Sequence, residues 1–246
     1  MIKYFTNTFA TVNLYKKPST KSEVVTQMIY GESFSISQKK NKWLKIKIKE
    51  DNYKGYIQNK NYSKYIKSTH KINKLNAKIY KFFNKQVKIN ELTFGSRIKV
   101  INKKFQFYEF ARGWINKEDV SAISVKEKNY FKKINIFKNI RYKWGGKSFK
   151  GIDCSALIQV CLNFNNIFCP RDARDQVKYF KKNIKLNKIK KNDIIYWKGH
   201  VAVALNNKKL IHAYGPMKKT VIMGIHQTIR RINETANLKV IGIKRL

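Results

Sequence analysis

Short apolar stretches separated by polar turns fill the first half of the chain, and helical patterns begin only after residue 125. Val24-Val25, Phe34-Ser35-Ile36, Trp43-Leu44-Lys45-Ile46-Lys47-Ile48 and Gly55-Tyr56-Ile57 alternate or cluster apolar residues over strand lengths. The pattern then recurs. Tyr30-Gly31-Glu32-Ser33-Phe34-Ser35-Ile36, Trp43 and Gly55-Tyr56-Ile57 in the first copy answer to Phe94-Gly95-Ser96-Arg97-Ile98-Lys99-Val100, Phe107 and Gly113-Trp114-Ile115 in the second. Two small all-β barrels in tandem, over residues 1–66 and 67–124, account for this order. Small cores need large side chains, which assigns Trp43 and Trp114 to those cores.

Residues 125–246 read differently. Tyr130, Phe131, Ile134 and Phe137 stand at helical spacing among lysines, predicting an amphipathic helix over 127–139. A glycine turn, Trp144-Gly145-Gly146, precedes a second helix that starts at Cys154 and ends near residues 164–166, where Asn165 and Asn166 invite a turn. Pro170 is placed to open a further helix running to Phe180. Strands are expected at 193–197, 200–205, 210–214, 221–223 and 240–244, with a short helix near 227–232. Helices first and an antiparallel sheet afterwards make this an α+β domain.

Composition narrows the class. A hydrophobic fraction of 43% with 13% aromatics supplies real cores. Lys plus Arg number 54 against 14 Asp plus Glu, a net charge of +40 that invites a polyanion. The lysines are spread over the whole length, with no basic helix or arginine-rich run, so no dedicated nucleic-acid site is expected. Cys154, Cys161 and Cys169 fit no zinc spacing, and no metal or other cofactor is expected. An odd cysteine count with one reactive thiol favours a reducing compartment. Residues 1–10 lack the apolar core of a signal peptide, and no run reaches the ~20 residues of a membrane span. The expectation is a soluble, cytoplasmic protein without a membrane span.

The chemistry centres on Gly151-Ile152-Asp153-Cys154-Ser155. Asp153 is a good N-cap, which puts Cys154 on the first helical turn, at the positive end of the helix dipole. Such placement can lower a thiol pKa from ~8.5 to about 3.5–7.5. A cysteine nucleophile also needs a base, and the base an orienting group. Of four histidines, His70 is expected as an exposed linker residue of the second barrel and His226 as a surface residue opening the late helix. His200 and His212 remain, on strands joined by a hairpin. Opposed residues share a face, so a two-residue turn at Asn206-Asn207 would separate the two rings. An odd loop, such as Asn206-Asn207-Lys208 with an asparagine at positive φ, puts them together.

Several blocks now agree. Tyr142-x-Trp144-Gly145-Gly146, Asp153-Cys154-Ser155, Pro170-Arg171-Asp172, Asp193-Ile194-Ile195-Tyr196-Trp197, Gly199-His200-Val201 and Ile211-His212-Ala213 resemble, in order, the signature blocks of NlpC/P60 cysteine peptidases. Pro18, Glu23, Gln27, Gly31, Trp43 and Gly55-Tyr56 resemble a bacterial SH3-type barrel. Together the chain is similar to the γ-D-glutamyl-L-diamino-acid endopeptidases of peptidoglycan turnover, the dipeptidyl-peptidase VI type. The resemblance implies a papain-like fold with Cys154 as nucleophile, His200 as base and His212 orienting His200. It implies an oxyanion held by the Cys154 N–H and helped by the Tyr142 hydroxyl, with Asp153 and Ser155 contacting substrate. Arg171 and Asp172 match a segment whose aspartate meets the free α-amine of an L-Ala-γ-D-Glu peptide; Ala173 departs from the serine usual there, and Ala156 from a glycine. Glu23 and Tyr56 match barrel residues offered to the same amine. The expected partners are peptidoglycan stem peptides. Two alternatives stand beside this reading: an amidase or acyltransferase on the same Cys-His scaffold, and a non-catalytic basic protein binding anionic wall polymer or nucleic acid.

Overall fold

The computed structural model describes residues 2–84 and 87–246. Met1, where the first predicted domain begins, and residues 85 and 86, within the second, lie outside the described residues. The chain divides into two compact units, 1–126 with 147–149, and 127–146 with 150–246.

The first unit is built of strands, with one 3-10 turn at Lys117–Asp119 among its described residues. A seven-stranded sheet runs in the order Val24–Ile29, Thr11–Tyr15, Lys54–Gln58, Trp43–Ile48, Ser33–Lys40, Tyr4–Thr6, Ser63–Lys64. It encloses Leu14, Met28, Phe34, Leu44, Ile46, Ile48 and Ile57. The second copy forms a five-stranded and a three-stranded sheet within 70–122, with Ile72, Ala77, Ile79, Leu92, Ile98, Phe110 and Ile115 between them. The repeat is visible in the backbone as well. Gly31 and Gly95 both take positive φ, at 84° and 82°. Each sits in a tight turn, closed by Glu32 N–H donating to Ile29 and by Ser96 N–H donating to Thr93. A side chain at position 31 would lie 2.0 Å from the Arg97 carbonyl, so glycine is required there.

Trp43 and Trp114 are not core residues, contrary to expectation. Leu44, Ile46 and Ile48 take the inward positions of their strand and Ile115 that of the other, so the period of two turns both tryptophans outward. There they lie half-buried, Trp43 edge-on to Tyr15 and Trp114 against Phe83. His70 is likewise no linker residue: it opens the His70–Ile72 strand, half-buried beside the Tyr108 ring.

In the second unit, the helix expected over 127–139 does not form. The segment is a series of turns whose N–H groups donate three residues back, from Lys132, Ile134, Ile136, Lys138 and Ile140, with one 3-10 turn at Ile134–Phe137. Phe131, Ile134 and Phe137 are the buried residues, and their spacing of three matches a 3-10 winding better than an α-helix. Asn129 starts the series by accepting the Phe131 N–H on its side chain, a local bond that competes with helix. Helix α1 spans Cys154–Phe164 and has ten of its eleven residues buried, the mark of a central helix. Helix α2 spans Ala173–Tyr179, starting three residues after Pro170. Gln176 Nε2 donates to the carbonyls of Pro170 and Ser155 and so holds the intervening turn out of the helix. A six-stranded sheet follows, in the order Lys182–Asn183, Val240–Arg245, Ile194–Trp197, His200–Ala204, Lys209–Tyr214, Lys219–Gly224. Helix α3, Ile225–Ala236, is twelve residues long rather than the short helix expected, and Ile225 and Ile232 join the sheet's apolar layer. Asp193 is fully buried at the entry to the sheet, in a two-pronged ion pair with Arg245 at 2.7 Å that anchors the strand start. Among the described residues no helix is long and apolar enough to cross a membrane, and no cluster of His, Cys, Asp or Glu is arranged to hold a metal.

Charges lie inside the first unit. Glu32 accepts the Ile29 N–H and pairs with the fully buried Lys147 Nζ at 2.5 Å, while Glu50 accepts the Ser33 N–H. Burial, and then the negative charge of Glu32, raise the Glu50 carboxyl from 4.5 to about 7. The folded state therefore holds this proton more tightly than the unfolded chain. Its contribution to stability is full below pH 4.5 and is lost as pH rises toward about 7. In urea titrations, Glu50→Gln is expected to flatten the pH dependence in that window; an unchanged profile would remove Glu50 as its source.

Candidate active site

Asp153 organises the site. Its Oδ1 accepts the Ala156 N–H at 2.8 Å, capping α1, and the Ser155 hydroxyl at 3.2 Å. Its Oδ2 accepts the Gly145 N–H at 3.0 Å, tying down the glycine turn. Arg171 grips both oxygens, Nη1 to Oδ1 at 3.0 Å and Nη2 to Oδ2 at 2.5 Å, and Nη1 also donates to Ser155 Oγ at 2.9 Å. All three side chains are buried. Such a pair repays its desolvation only through bonds of this number and geometry. Asp153, Ser155 and Arg171, expected at the substrate, here bond to one another beside Cys154.

Cys154 follows as the first residue of α1, where its N–H has no preceding helical acceptor. The thiol is buried, with the backbone N–H of Val201, next in sequence to His200, among its hydrogen-bond donors. The expected low pKa is not found. Burial raises the thiol to about 12, and the Asp153 charge adds to the rise. The Val201 and Ser155 N–H groups and Arg171 pull the other way and lose. Desolvation of a buried group is worth up to about 3–5 pKa units, more than a helix terminus offers.

The two histidines meet as the parity argument requires. Val203 faces Ile211 and Ala204 faces Leu210. The Leu205 N–H donates to the Lys209 carbonyl, leaving the three-residue loop Asn206-Asn207-Lys208. The asparagine at positive φ is absent. Asn206 Oδ1 accepts the N–H groups of Lys208 and Lys209 instead and closes the loop from its side chain. His200 Nε2 lies 2.8 Å from His212 Nδ1. The His212 ring stacks on Tyr214 at 4.6 Å, and its Nε2 is 3.4 Å from Met223 Sδ. Burial lowers His200 to about 4; burial, then the neighbouring His200, lowers His212 to about 2. Both rings are neutral at physiological pH.

Tyr142 joins this set. Burial raises its hydroxyl pKa, followed by the charges of Cys154 and Asp153, while Arg171 opposes the rise. Asp172 is the N-cap residue of α2, partly exposed. His226 is exposed on the first turn of α3, as expected, and Cys161 is buried in α1. Glu23 and Tyr56 belong to the first unit. There Glu23 pairs with Lys16 at 3.4 Å, and Tyr56 is half-buried with Lys45 over its ring. Sequence reasoning missed Met223 and Gln176. Both reach the site from sequence-distant segments, and neither residue type announces such a contact.

A helix-borne cysteine whose thiol meets the Val201 N–H, one residue along from a strand-borne, paired histidine, on an α+β scaffold points to the class of cysteine hydrolases. Residues 139–235 match the NlpC/P60 family, and residues 14–61 match the bacterial dipeptidyl-peptidase Sh3 domain. The second unit is thus an NlpC/P60 domain, a cysteine-peptidase domain, with a bacterial Sh3 domain ahead of it in the chain. Dipeptidyl-peptidase 6 of Lysinibacillus sphaericus is 39% identical over 72 residues, covering 29% of this chain and 27% of that protein. Gamma-D-glutamyl-L-lysine dipeptidyl-peptidase of Bacillus subtilis (strain 168) is 23% identical over 236 residues, 85% of this chain and 79% of that one. The crystal structure of an NlpC/P60 family protein from Bacillus cereus ATCC 10987 shares the fold with a TM-score of 0.82, at 17% identity, over 98% of this chain and 99% of that chain.

Arg171→Met would leave a buried carboxylate without its partner, at a cost of about 3–5 kcal/mol in urea unfolding. Arg171→Lys, lacking the planar fork, should recover only part of this; full recovery would contradict the two-pronged pair. Separately, alkylation of Cys154 in the ligand-free protein should be slow at neutral pH and climb toward pH 12. A rate already at its plateau near pH 7 would show a thiolate where burial forbids one.

Proposed function

We propose that this protein is a cysteine endopeptidase of peptidoglycan turnover, hydrolysing the γ-D-glutamyl–L-diamino-acid bond of stem peptides with a free N-terminal L-Ala. The observation that carries the chemistry is the 2.8 Å contact from His200 Nε2 to His212 Nδ1. It engages one His200 nitrogen and leaves Nδ1 for the thiol proton. The relatives named dipeptidyl-peptidase 6 and gamma-D-glutamyl-L-lysine dipeptidyl-peptidase support the substrate class.

In this reading the resting pair is a neutral thiol and a neutral imidazole, and the thiolate forms as substrate excludes water. Cys154 Sγ attacks the γ-glutamyl carbonyl carbon while its proton passes to His200 Nδ1. The carbonyl π pair moves to oxygen, which the Cys154 N–H and the Tyr142 hydroxyl receive. The tetrahedral centre collapses, the C–N bond breaks, and His200 returns the proton to the departing amine. Water, deprotonated by His200, then hydrolyses the thioester and restores the thiol. Asp172 is proposed to meet the substrate amine. The unbridged cysteines fit a cytoplasmic setting, where released peptides rather than intact wall would be cut.

Free L-Ala-γ-D-Glu-diaminopimelate should be cleaved and its N-acylated form spared; equal rates on both would defeat amine recognition. Cys154→Ala should abolish turnover of either. Since His200 is neutral above about pH 4, kcat/KM should fall as pH drops through that value. A fall centred near 6.5 would instead mean an imidazole outside the buried setting.

A further inference from the structure

The paired imidazoles have two internally consistent proton arrangements, and only one can accept a proton from Cys154. If His212 carries its proton on Nε2, its Nδ1 is a lone pair. The contact at 2.8 Å then obliges His200 to donate from Nε2, leaving His200 Nδ1 as a base. If His212 carries its proton on Nδ1 instead, every role reverses. His200 must accept on Nε2, its own proton sits on Nδ1, and that nitrogen carries an N–H where the proposed base needs a lone pair. The contact alone does not choose between these chains, because each satisfies it equally.

What breaks the tie lies at the far end. His212 Nε2 is 3.4 Å from Met223 Sδ. A thioether sulfur is a weak acceptor and has no proton to give. It can be satisfied only by an Nε2–H, never by an Nε2 lone pair. The fully buried His212 ring also has little freedom to find another partner, since it is stacked on Tyr214 with an interplanar angle of 13°. Met223 is held in place by the sheet: Leu210 pairs with Met223 and His212 with Val221 on the adjacent strand.

We infer that Met223 is a positioning residue of the catalytic apparatus, its thioether fixing the tautomer of His212 and through it the basic nitrogen of His200. The relay is Met223 Sδ, His212 Nε2–H and Nδ1, His200 Nε2–H and Nδ1, then the Cys154 thiol. The weakness of the acceptor has a use. A carboxylate at this place would favour a charged His212, whereas a thioether orients the ring and leaves it neutral. The inference rests on the proposed role of His200 as base, but the tautomer itself can be read without any substrate.

The test is two-dimensional 1H–15N NMR of the histidine rings of the intact protein at neutral pH. The wild type should show both His200 and His212 protonated on Nε2. Met223→Leu keeps the apolar bulk and removes the acceptor; a second tautomer should emerge, and kcat should fall about threefold to tenfold with KM little changed. Met223→Gln, whose side-chain carbonyl restores an acceptor, should recover the wild-type spectrum and most of kcat. A wild-type His212 protonated on Nδ1 would overturn the inference whether or not any variant folds. So would a folded Met223→Leu protein with unchanged tautomers and kcat. If the spectra behave as expected but no γ-glutamyl peptide is cleaved, the fault lies with the proposed substrate and not with Met223.

Discussion

The buried Asp153 carboxylate is the constraint on which the catalytic unit depends. It accepts five hydrogen bonds, from the Gly145 N–H, the Ala156 N–H, the Ser155 hydroxyl and both prongs of Arg171. One side chain thereby joins the glycine turn, the start of α1 and the turn before α2. Cys154 is next in the chain, so the thiol inherits its position from the heavily bonded residue beside it. Loosening Asp153 would loosen all three segments at once. The same negative charge helps keep the thiol protonated, so the residue that places the nucleophile also keeps it at rest.

Two effects compete at Cys154, and their sizes decide the outcome. The helix N-terminus, two backbone N–H groups and Arg171 favour a thiolate. Burial opposes them and wins, as it does at His200 and His212, where it removes the positive charge that would stabilise a thiolate. The thiol and the two imidazoles rest neutral beside the Asp153–Arg171 ion pair. Among those three groups the placement of protons matters, which gives weight to contacts as modest as that of Met223 with His212.

The Asp153 cap and the His200–His212 pair were legible because their signals are local. Asp before Cys reads as a cap and a nucleophile, and the period of two along the strands reads as two histidines on one face whenever the loop count is odd. The misses share a cause. The 127–139 segment carries a spacing compatible with either winding, and the Asn129 bond tips it to turns. Trp43 and Trp114 were assigned by size, while strand parity, fixed by Leu44 and Ile115, sent them outward. The thiol pKa was judged from the helix terminus alone, since burial is a property of the assembled unit.

The sequence by itself determined the tandem β repeat, the α+β order of the second unit, the Asp153 cap before Cys154 and the meeting of His200 with His212, because each follows from periodicities and caps acting over a few residues. Only the tertiary structure decided that Arg171 grips Asp153, that Gln176 holds the Pro170 turn, that Met223 lies against His212, and that burial holds the Cys154 thiol and both imidazoles neutral. Those depend on which distant segments enclose each group and how much water they exclude, and spacing along the chain does not carry that information.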